Sequence, residues 1–118
     1  ARWGLAVVIV AANRLGVLNH CLLTVEALRT RGADVAAIVL VAPMASPDAP
    51  SPNAPGPDAT IVPRAAADAS TDHNAPELAR LLPGLPILLF PHLRDPRDLV
   101  ALAQSGAPLL AALLGSPP

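Results

Sequence analysis

A polar turn after an apolar run is the first place where this sequence could bind a ligand. Residues 5–12 are apolar and rich in Val and Ile, and Asn13-Arg14-Leu15-Gly16 follows them directly. A helix beginning just after this turn would present N–H groups without helical partners, which together attract anions. Gly16 would allow close approach of a ligand to the backbone, because it has no Cβ. The turn is therefore a candidate anion site. The plainer alternative is a capped strand-to-helix turn of the kind that any α/β protein needs.

The other chemically versatile side chains are isolated along the chain. His20 could in principle act as a general base, but a packing role beside the turn is the better interpretation. Cys21 is the only cysteine, lacks partners at metal-ligand spacing, and is predicted to be a small buried hydrophobe. His20 and His73 are too far apart to indicate a metal site by themselves. The sequence thus predicts no catalytic residue and no metal ligand within this chain.

Composition limits the classes of partner. The 118 residues carry a formal net charge of −1, and all eight basic residues are arginine. Nucleic-acid binding is not expected, because it requires a clustered basic surface. No apolar run approaches the about 18 residues that a membrane helix needs. A single cysteine excludes an intrachain disulfide and favours a reducing compartment, so a cytoplasmic protein is expected.

Periodicity in the first third of the chain predicts a βαβ unit. Residues 5–12 and 35–41 have the continuous apolar character of strands buried on both faces of a parallel sheet. Residues 19–31 between them carry an apolar stripe at helical spacing, with Asn19 as the expected N-cap and Gly32 just after the last turn. The expected fold class is α/β, a parallel sheet with flanking helices.

The second half continues this alternation after an interruption. Residues 43–63 include seven prolines and are predicted to form a flexible surface loop. A short helix is expected from Asn74 to Leu82 and a strand from Leu85 to Phe90. The Asp95-Pro96 pair then predicts a helix to about Ser105. Gly106 is expected to break it before a short closing helix at residues 108–114.

One stretch carries a family resemblance. It reads Val8-Ile-Val-Ala-Ala-Asn-Arg-Leu-Gly-Val-Leu-Asn-His-Cys-Leu-Leu-Thr-Val-Glu-Ala-Leu28. The strand, the Leu-Gly-x-x-Asn-His junction and the Leu-Thr pair in the helix resemble a signature of dethiobiotin synthetases. The resemblance implies that residues 1–118 form the C-terminal portion of such a domain, with part of a P-loop NTPase-like Rossmannoid fold.

The resemblance also implies an activity and a first set of site residues. Members of this family carboxylate 7,8-diaminononanoate with CO2, activate it with ATP and Mg²⁺, and close it to a cyclic urea in biotin biosynthesis. They are homodimers with active sites at the subunit boundary. The turn of one subunit holds the carboxylate tail of the substrate bound mainly by the other. That role falls here on the residues of the turn, which are Leu15, Gly16, Val17, Leu18 and Asn19.

A second set of residues is implied for the ATP base. Pro91, His92 and Leu93 match the Pro-aromatic-Leu turn that follows the last strand of the family, and Asp98 matches an acidic residue after it. Val41 occupies the position where the family usually has Asn. An apolar side chain at that position cannot read the edge of adenine, so the chain departs from the family pattern there.

The sequence also lacks parts of the family's catalytic apparatus. It contains no G-x-x-x-x-G-K-[ST] loop and no lysine, whereas phosphoryl chemistry of this class uses a backbone cradle, a lysine and carboxylates for Mg²⁺. In the family these lie upstream, so the chain alone is expected to be inactive, with an unpaired strand edge along residues 5–12. Two alternatives remain open, a related cobyrinate amidase-like P-loop domain and a non-catalytic remnant or binding module.

Overall fold

The computed structural model describes residues 5–42 and 70–115, in which strands and helices alternate. The elements are β1 (Ala6–Ala12), α1 (Val17–Thr30), β2 (Asp34–Val41), α2 (Thr71–Leu81), β3 (Ile87–Phe90) and α3 (Leu99–Leu114). The loop predicted at residues 43–63 lies outside the described residues. None of the helices in the described ranges is long and apolar enough to cross a membrane.

The three strands form one parallel sheet in the order β1-β2-β3. Ala12 lies opposite Val41, and Val41 lies opposite Phe90, so the carboxyl ends of the strands are level. The predicted α/β fold class with a parallel sheet and flanking helices is confirmed. It is consistent with a P-loop NTPase-like fold.

The core is an aliphatic cluster between the sheet and two helices. Ile38 and Leu40 of the central strand β2 are fully buried. α1 contributes residues spaced four apart, which therefore lie on one face of the helix. α2 and the turn after it complete the cluster, whose buried members are Val17, Cys21, Val25, Val35, Ile38, Leu40, Leu78, Leu82 and Leu85.

Cys21 behaves as the sequence predicted. Its side chain is buried in the aliphatic cluster, and this burial raises the pKa of the Cys21 thiol. Desolvation disfavours the thiolate, the form that reacts with electrophiles and metals. Cys21 is therefore an inert, neutral core residue.

The start of α1 differs from the prediction. The helix begins at Val17 after Gly16, whose φ is 89°, and Asn19 lies exposed within the first turn instead of capping it. The left-handed conformation of Gly16 turns the chain sharply, so that Val17 enters the core at the first helical position. The end agrees with expectation, because Gly32 follows the helix with a φ of 73°.

β1 is only half-buried, which corrects the prediction that both of its faces are covered. Its residues alternate between half-buried and exposed. Ile9 and Ala11 pack against the core, whereas Val8 and Val10 on the other face are exposed. β1 lies at an edge of the described sheet, as expected, because it pairs there with β2 only.

The boundaries of the last two helices also need correction. α2 begins at Thr71, three residues before the predicted start, because Asn74 is drawn into a buried hydrogen-bond network described below. α3 begins after Asp98 instead of Asp95 and continues through Gly106 and Pro108 to Leu114. Pro108 is exposed and lies inside this helix, although proline removes a helical N–H and crowds the preceding turn.

Candidate functional site

Both predicted groups of site residues lie at the carboxyl edge of the sheet. The strands are parallel and their ends are level, so the turn after β1, the end of β2 and the segment after β3 meet at one edge. Ligands of open parallel sheets bind outside this edge, where the turns and helix N-termini gather. The fold thus brings together residues that are about seventy positions apart in the sequence.

The turn between β1 and α1 is closed by backbone hydrogen bonds, and most of its residues are exposed. The N–H of Val17 donates to the carbonyl of Arg14 at 3.1 Å, and the N–H of His20 donates to that of Gly16 at 3.3 Å. Leu15, Gly16 and Asn19 are exposed, while Leu18 is half-buried. A Cβ built on Gly16 would have no neighbour within 4 Å, so the space above the turn is open.

Two buried asparagines hold this turn in place, and the sequence alone did not single them out. Asn13 and Asn74 are 7% and 3% exposed, and Nδ2 of Asn74 donates to Oδ1 of Asn13 at 2.8 Å. Nδ2 of Asn13 donates to the carbonyl of Thr71 at 3.0 Å, and its backbone N–H donates to that of Val41 at 2.8 Å. The pair therefore ties the turn to the start of α2 and to the end of β2.

Of these two residues, only Asn13 could be recognised from the sequence as a candidate. Asn13 is polar and directly follows a strand, which marks it as a candidate. Asn74 is 61 residues away along the chain, and no local pattern indicates that the two meet. Nδ2 of Asn74 also contacts the carbonyl of Arg14 and Oγ of Ser70, both at 3.4 Å. Within the described residues, no buried side-chain polar atom is left without a partner.

A groove of about 440 Å³ opens after β2 and β3. Four of the five residues predicted to contact the base, Val41, Pro91, His92 and Leu93, lie in its lining. The complete lining is Val41, Ala42, Phe90, Pro91, His92, Leu93, Arg94, Pro96 and Leu102. A smaller cavity of about 280 Å³ lies between the groove and Asn13 and shares Ala42, Phe90 and Pro91 with it.

Asp98, the fifth predicted base-contacting residue, is not part of this lining. Its Oδ1 accepts the N–H groups of Val100 at 3.1 Å and Ala101 at 3.0 Å, which makes it the N-cap of α3. The carboxylate thus satisfies two of the backbone donors at the helix start, and its charge complements the helix dipole. The structure accounts for Asp98 by this cap.

Replacing Asp98 tests its assignment as a cap. Asp98→Ala is expected to lower the free energy of unfolding by about 1 kcal/mol, because it removes the acceptor for two backbone N–H groups. Asp98→Asn is the matched control, since asparagine caps about as well as aspartate. Urea unfolding followed by circular dichroism measures both. Equal losses in the two variants would indicate that the charge of Asp98 matters and that the cap does not.

The described residues offer little for binding a metal. No group of three or more His, Cys, Asp or Glu side chains comes together within residues 5–42 and 70–115. The polar side chains that line the groove are His92 and Arg94, both exposed. The groove thus offers an apolar surface to a planar ring, and the turn offers a helix N-terminus to an anion.

Comparison with known proteins identifies the family of the chain. A family model described as an AAA domain matches residues 1–86. The ATP-dependent dethiobiotin synthetase of Anaeromyxobacter dehalogenans (strain 2CP-C) is 40% identical over 91 residues, which cover 77% of this chain and 32% of that protein. The enzyme of the same name from Novosphingobium aromaticivorans is 54% identical over 41 residues, covering 35% of this chain and 20% of that protein. The enzyme of the same name from Rhodopseudomonas palustris (strain BisB18) is 51% identical over 41 residues, which cover 35% of this chain and 20% of that protein.

The chain spans about a third of the length of the first of these relatives and less of the others. No solved structure matches it. The family model nevertheless covers most of the chain, and the named relatives agree with one another. The chain therefore belongs to the AAA-domain family described by this model and is dethiobiotin synthetase-like.

Proposed function

We propose that this chain supplies the substrate-carboxylate turn and the nucleotide-base groove of an ATP-dependent dethiobiotin synthetase, a cytoplasmic ligase of biotin biosynthesis. The observation that supports this most is the meeting of the two predicted sets of residues at the carboxyl edge of one parallel sheet. The relatives bear the name of this enzyme. The reaction would close 7,8-diaminononanoate and CO2 to a cyclic urea.

In this proposal the carboxylate tail of the diamino acid lies over the turn between β1 and α1. The N-terminus of α1 provides the positive end of the helix dipole, although the N–H groups of Val17 and His20 are bonded within the turn. Gly16 leaves space for close approach, and Asn19 is exposed in the first turn. Such a turn binds and orients the tail but moves no proton. We infer a homodimer, in which the turn of one subunit serves a substrate held mainly by the other.

The groove fits a purine base in size and offers apolar walls to its ring. Its volume of about 440 Å³ lies within the range of small-molecule pockets, about 300–1,000 Å³. Val41, Leu93 and Leu102 provide apolar walls for a planar ring, and the imidazole of His92 can stack on it. The base would be anchored here while the phosphates point along the carboxyl edge.

The phosphates and Mg²⁺ are not matched by the residues of this chain. The sequence has no phosphate loop and no lysine, and the described residues contain no cluster of three metal ligands. The residues of this chain therefore supply no group for a phosphoryl-transfer step or a metal-dependent step. Its part in the reaction is to bind and to orient. The apolar Val41 at the position where the family usually has Asn favours a second candidate function, a non-catalytic binding module with the same two ligands.

Ligand titrations of the isotope-labelled 118-residue chain, followed by NMR, test the proposal. 7,8-Diaminononanoate is expected to shift the amide signals of residues 15–19, and ATP those of Val41, His92 and Leu93. Signal shifts that fall outside both of these regions would contradict the proposed site. A binding module would bind both ligands without supporting turnover after a phosphate-loop chain is added, whereas a synthetase half would then form dethiobiotin.

Two glycine variants distinguish a specific loss of ligand binding at the turn from a general effect of backbone strain. Gly16 and Gly84 have φ of 89° and 82°, and neither has a neighbour within 4 Å of a built Cβ. Alanine at either position should cost a similar amount of stability, about 1–2 kcal/mol, because both backbones are left-handed. Only Gly16→Ala is expected to weaken diamino acid binding. Equal weakening by Gly84→Ala would argue against a carboxylate site at the turn.

A further inference from the structure

We propose that the groove after β3 prefers a 6-oxopurine base, as in inosine or guanosine nucleotides, to adenine. This inference rests on the proposed function, in which the groove holds the base of a nucleotide. It concerns the edge of the base that carries the group at position 6. Adenine presents an amino donor there, whereas a 6-oxopurine presents a carbonyl acceptor beside the N7 acceptor.

The side chains of the groove cannot provide a dedicated acceptor for the adenine amino group. None of the nine described lining residues is Asp, Glu, Asn or Gln. Val41 at the end of β2 is purely apolar. Arg94 has five N–H donors and no acceptor, while His92 can donate or accept. Side-chain hydrogen bonding in the groove is thus biased toward donors.

Backbone acceptors at the strand ends are already engaged. The carbonyl of Val41 accepts the N–H of Asn13 at 2.8 Å, and the carbonyl of Phe90 accepts the N–H of Ala42 at 2.9 Å. Both bonds extend the pairing of the sheet beyond its last residues. Each carbonyl oxygen keeps a second lone pair, so these acceptors do not discriminate between the two kinds of base. The preference of the groove therefore rests on its side chains.

Arg94 is placed to read a 6-oxopurine. Its exposed side chain lines the groove, and no carboxylate within residues 5–42 and 70–115 pairs with it. A guanidinium matches O6 and N7 of an oxopurine with two parallel hydrogen bonds, the commonest specific contact of arginine with a base. Since the guanidinium remains hydrated, we expect a moderate preference, about tenfold, which corresponds to about 1.4 kcal/mol.

ATP and ITP are matched probes, because adenine and hypoxanthine differ only around position 6. Isothermal titration of the 118-residue chain is expected to show that ITP binds about tenfold more tightly than ATP. Arg94→Met keeps the apolar stem but removes all donors. It should therefore lower the affinity for ITP to that for ATP. Arg80→Met is the control. Arg80 lies on the exposed side of α2, where it pairs with Glu77 at 2.9 Å, and its loss should leave the ratio unchanged.

The outcomes separate this inference from the function on which it rests. ATP binding equal to or tighter than ITP binding, with NMR shifts at Val41 and Leu93, would overturn the base preference and leave the nucleotide groove standing. Binding of neither nucleotide would refute the groove itself and the preference with it. A preference for ITP that survives Arg94→Met would overturn the assignment to Arg94.

Discussion

Leu78→Ala is expected to lower the free energy of unfolding by about 2–5 kcal/mol, the largest effect among the variants considered. Leu78 is 0% exposed and packs in the aliphatic cluster between α2, α1 and β2. Truncation removes its transfer free energy and leaves a cavity that the surrounding side chains fill only in part. Since the three-strand sheet is small, such a loss is a large fraction of total stability. Urea unfolding monitored by circular dichroism measures it.

Leu81 provides a matched control on the same helix. It has the same side chain three residues further on and is 40% exposed. Leu81→Ala removes the same atoms from a partly solvated surface, so a loss below about 1 kcal/mol is expected. Similar losses in the two variants would show that α2 is not packed on the sheet through Leu78.

Asn74→Ala should have the second largest effect, a loss of about 1–3 kcal/mol. The change deletes the donor to Oδ1 of Asn13, which is then buried without that partner. It also removes the contacts of Nδ2 with the carbonyl of Arg14 and with Oγ of Ser70. The turn of residues 13–16 would lose the bonds from Asn74 and keep the one from Nδ2 of Asn13 to the carbonyl of Thr71. Thermal or urea unfolding measures the loss of stability.

A double-mutant cycle distinguishes the pair from each residue alone. Asn13→Ala, Asn74→Ala and the double variant are expected to be non-additive by about 0.5–3 kcal/mol, because the first truncation already breaks the shared bond. Asn19→Ala serves as an exposed control and should be close to neutral, since alanine is the better helix former. Additive losses of the two buried asparagines would contradict the hydrogen bond between them.

The elements were predictable where their signal was local and periodic. The βαβ unit follows from two short continuous apolar runs, which indicate strands, and from an apolar stripe at helical spacing, which indicates a helix with one buried face. The boundaries failed where another residue took over the expected role. Gly16 replaced Asn19 at the start of α1, and Asp98 replaced Asp95 at the start of α3. Both positions lie in turns, where several nearby residues could cap equally well.

The candidate site was predicted from a family resemblance more than from the physical properties of its residues. The roles of residues 15–19 and 91–93 came from a family pattern, and the parallel sheet explains how residues so far apart share one edge. The Asn13–Asn74 contact could not be predicted, because its partners are 61 residues apart and neither belongs to a periodic face. Arg94, to which we assign the base preference, was not singled out from the sequence, since an exposed arginine in a turn ordinarily indicates a solvated surface.

The loose attachment of α3 has a consequence for hydrogen exchange. The helix has no buried residue, and its contacts with the other described elements are sparse. Its amides should exchange through local opening at low free energy, whereas the buried amides of β2 should exchange only when the whole sheet unfolds. Leu102 of α3 forms part of the groove wall. A ligand in the groove would therefore slow amide exchange in α3. The measured affinity of this ligand would include the free energy needed to hold α3 against the sheet.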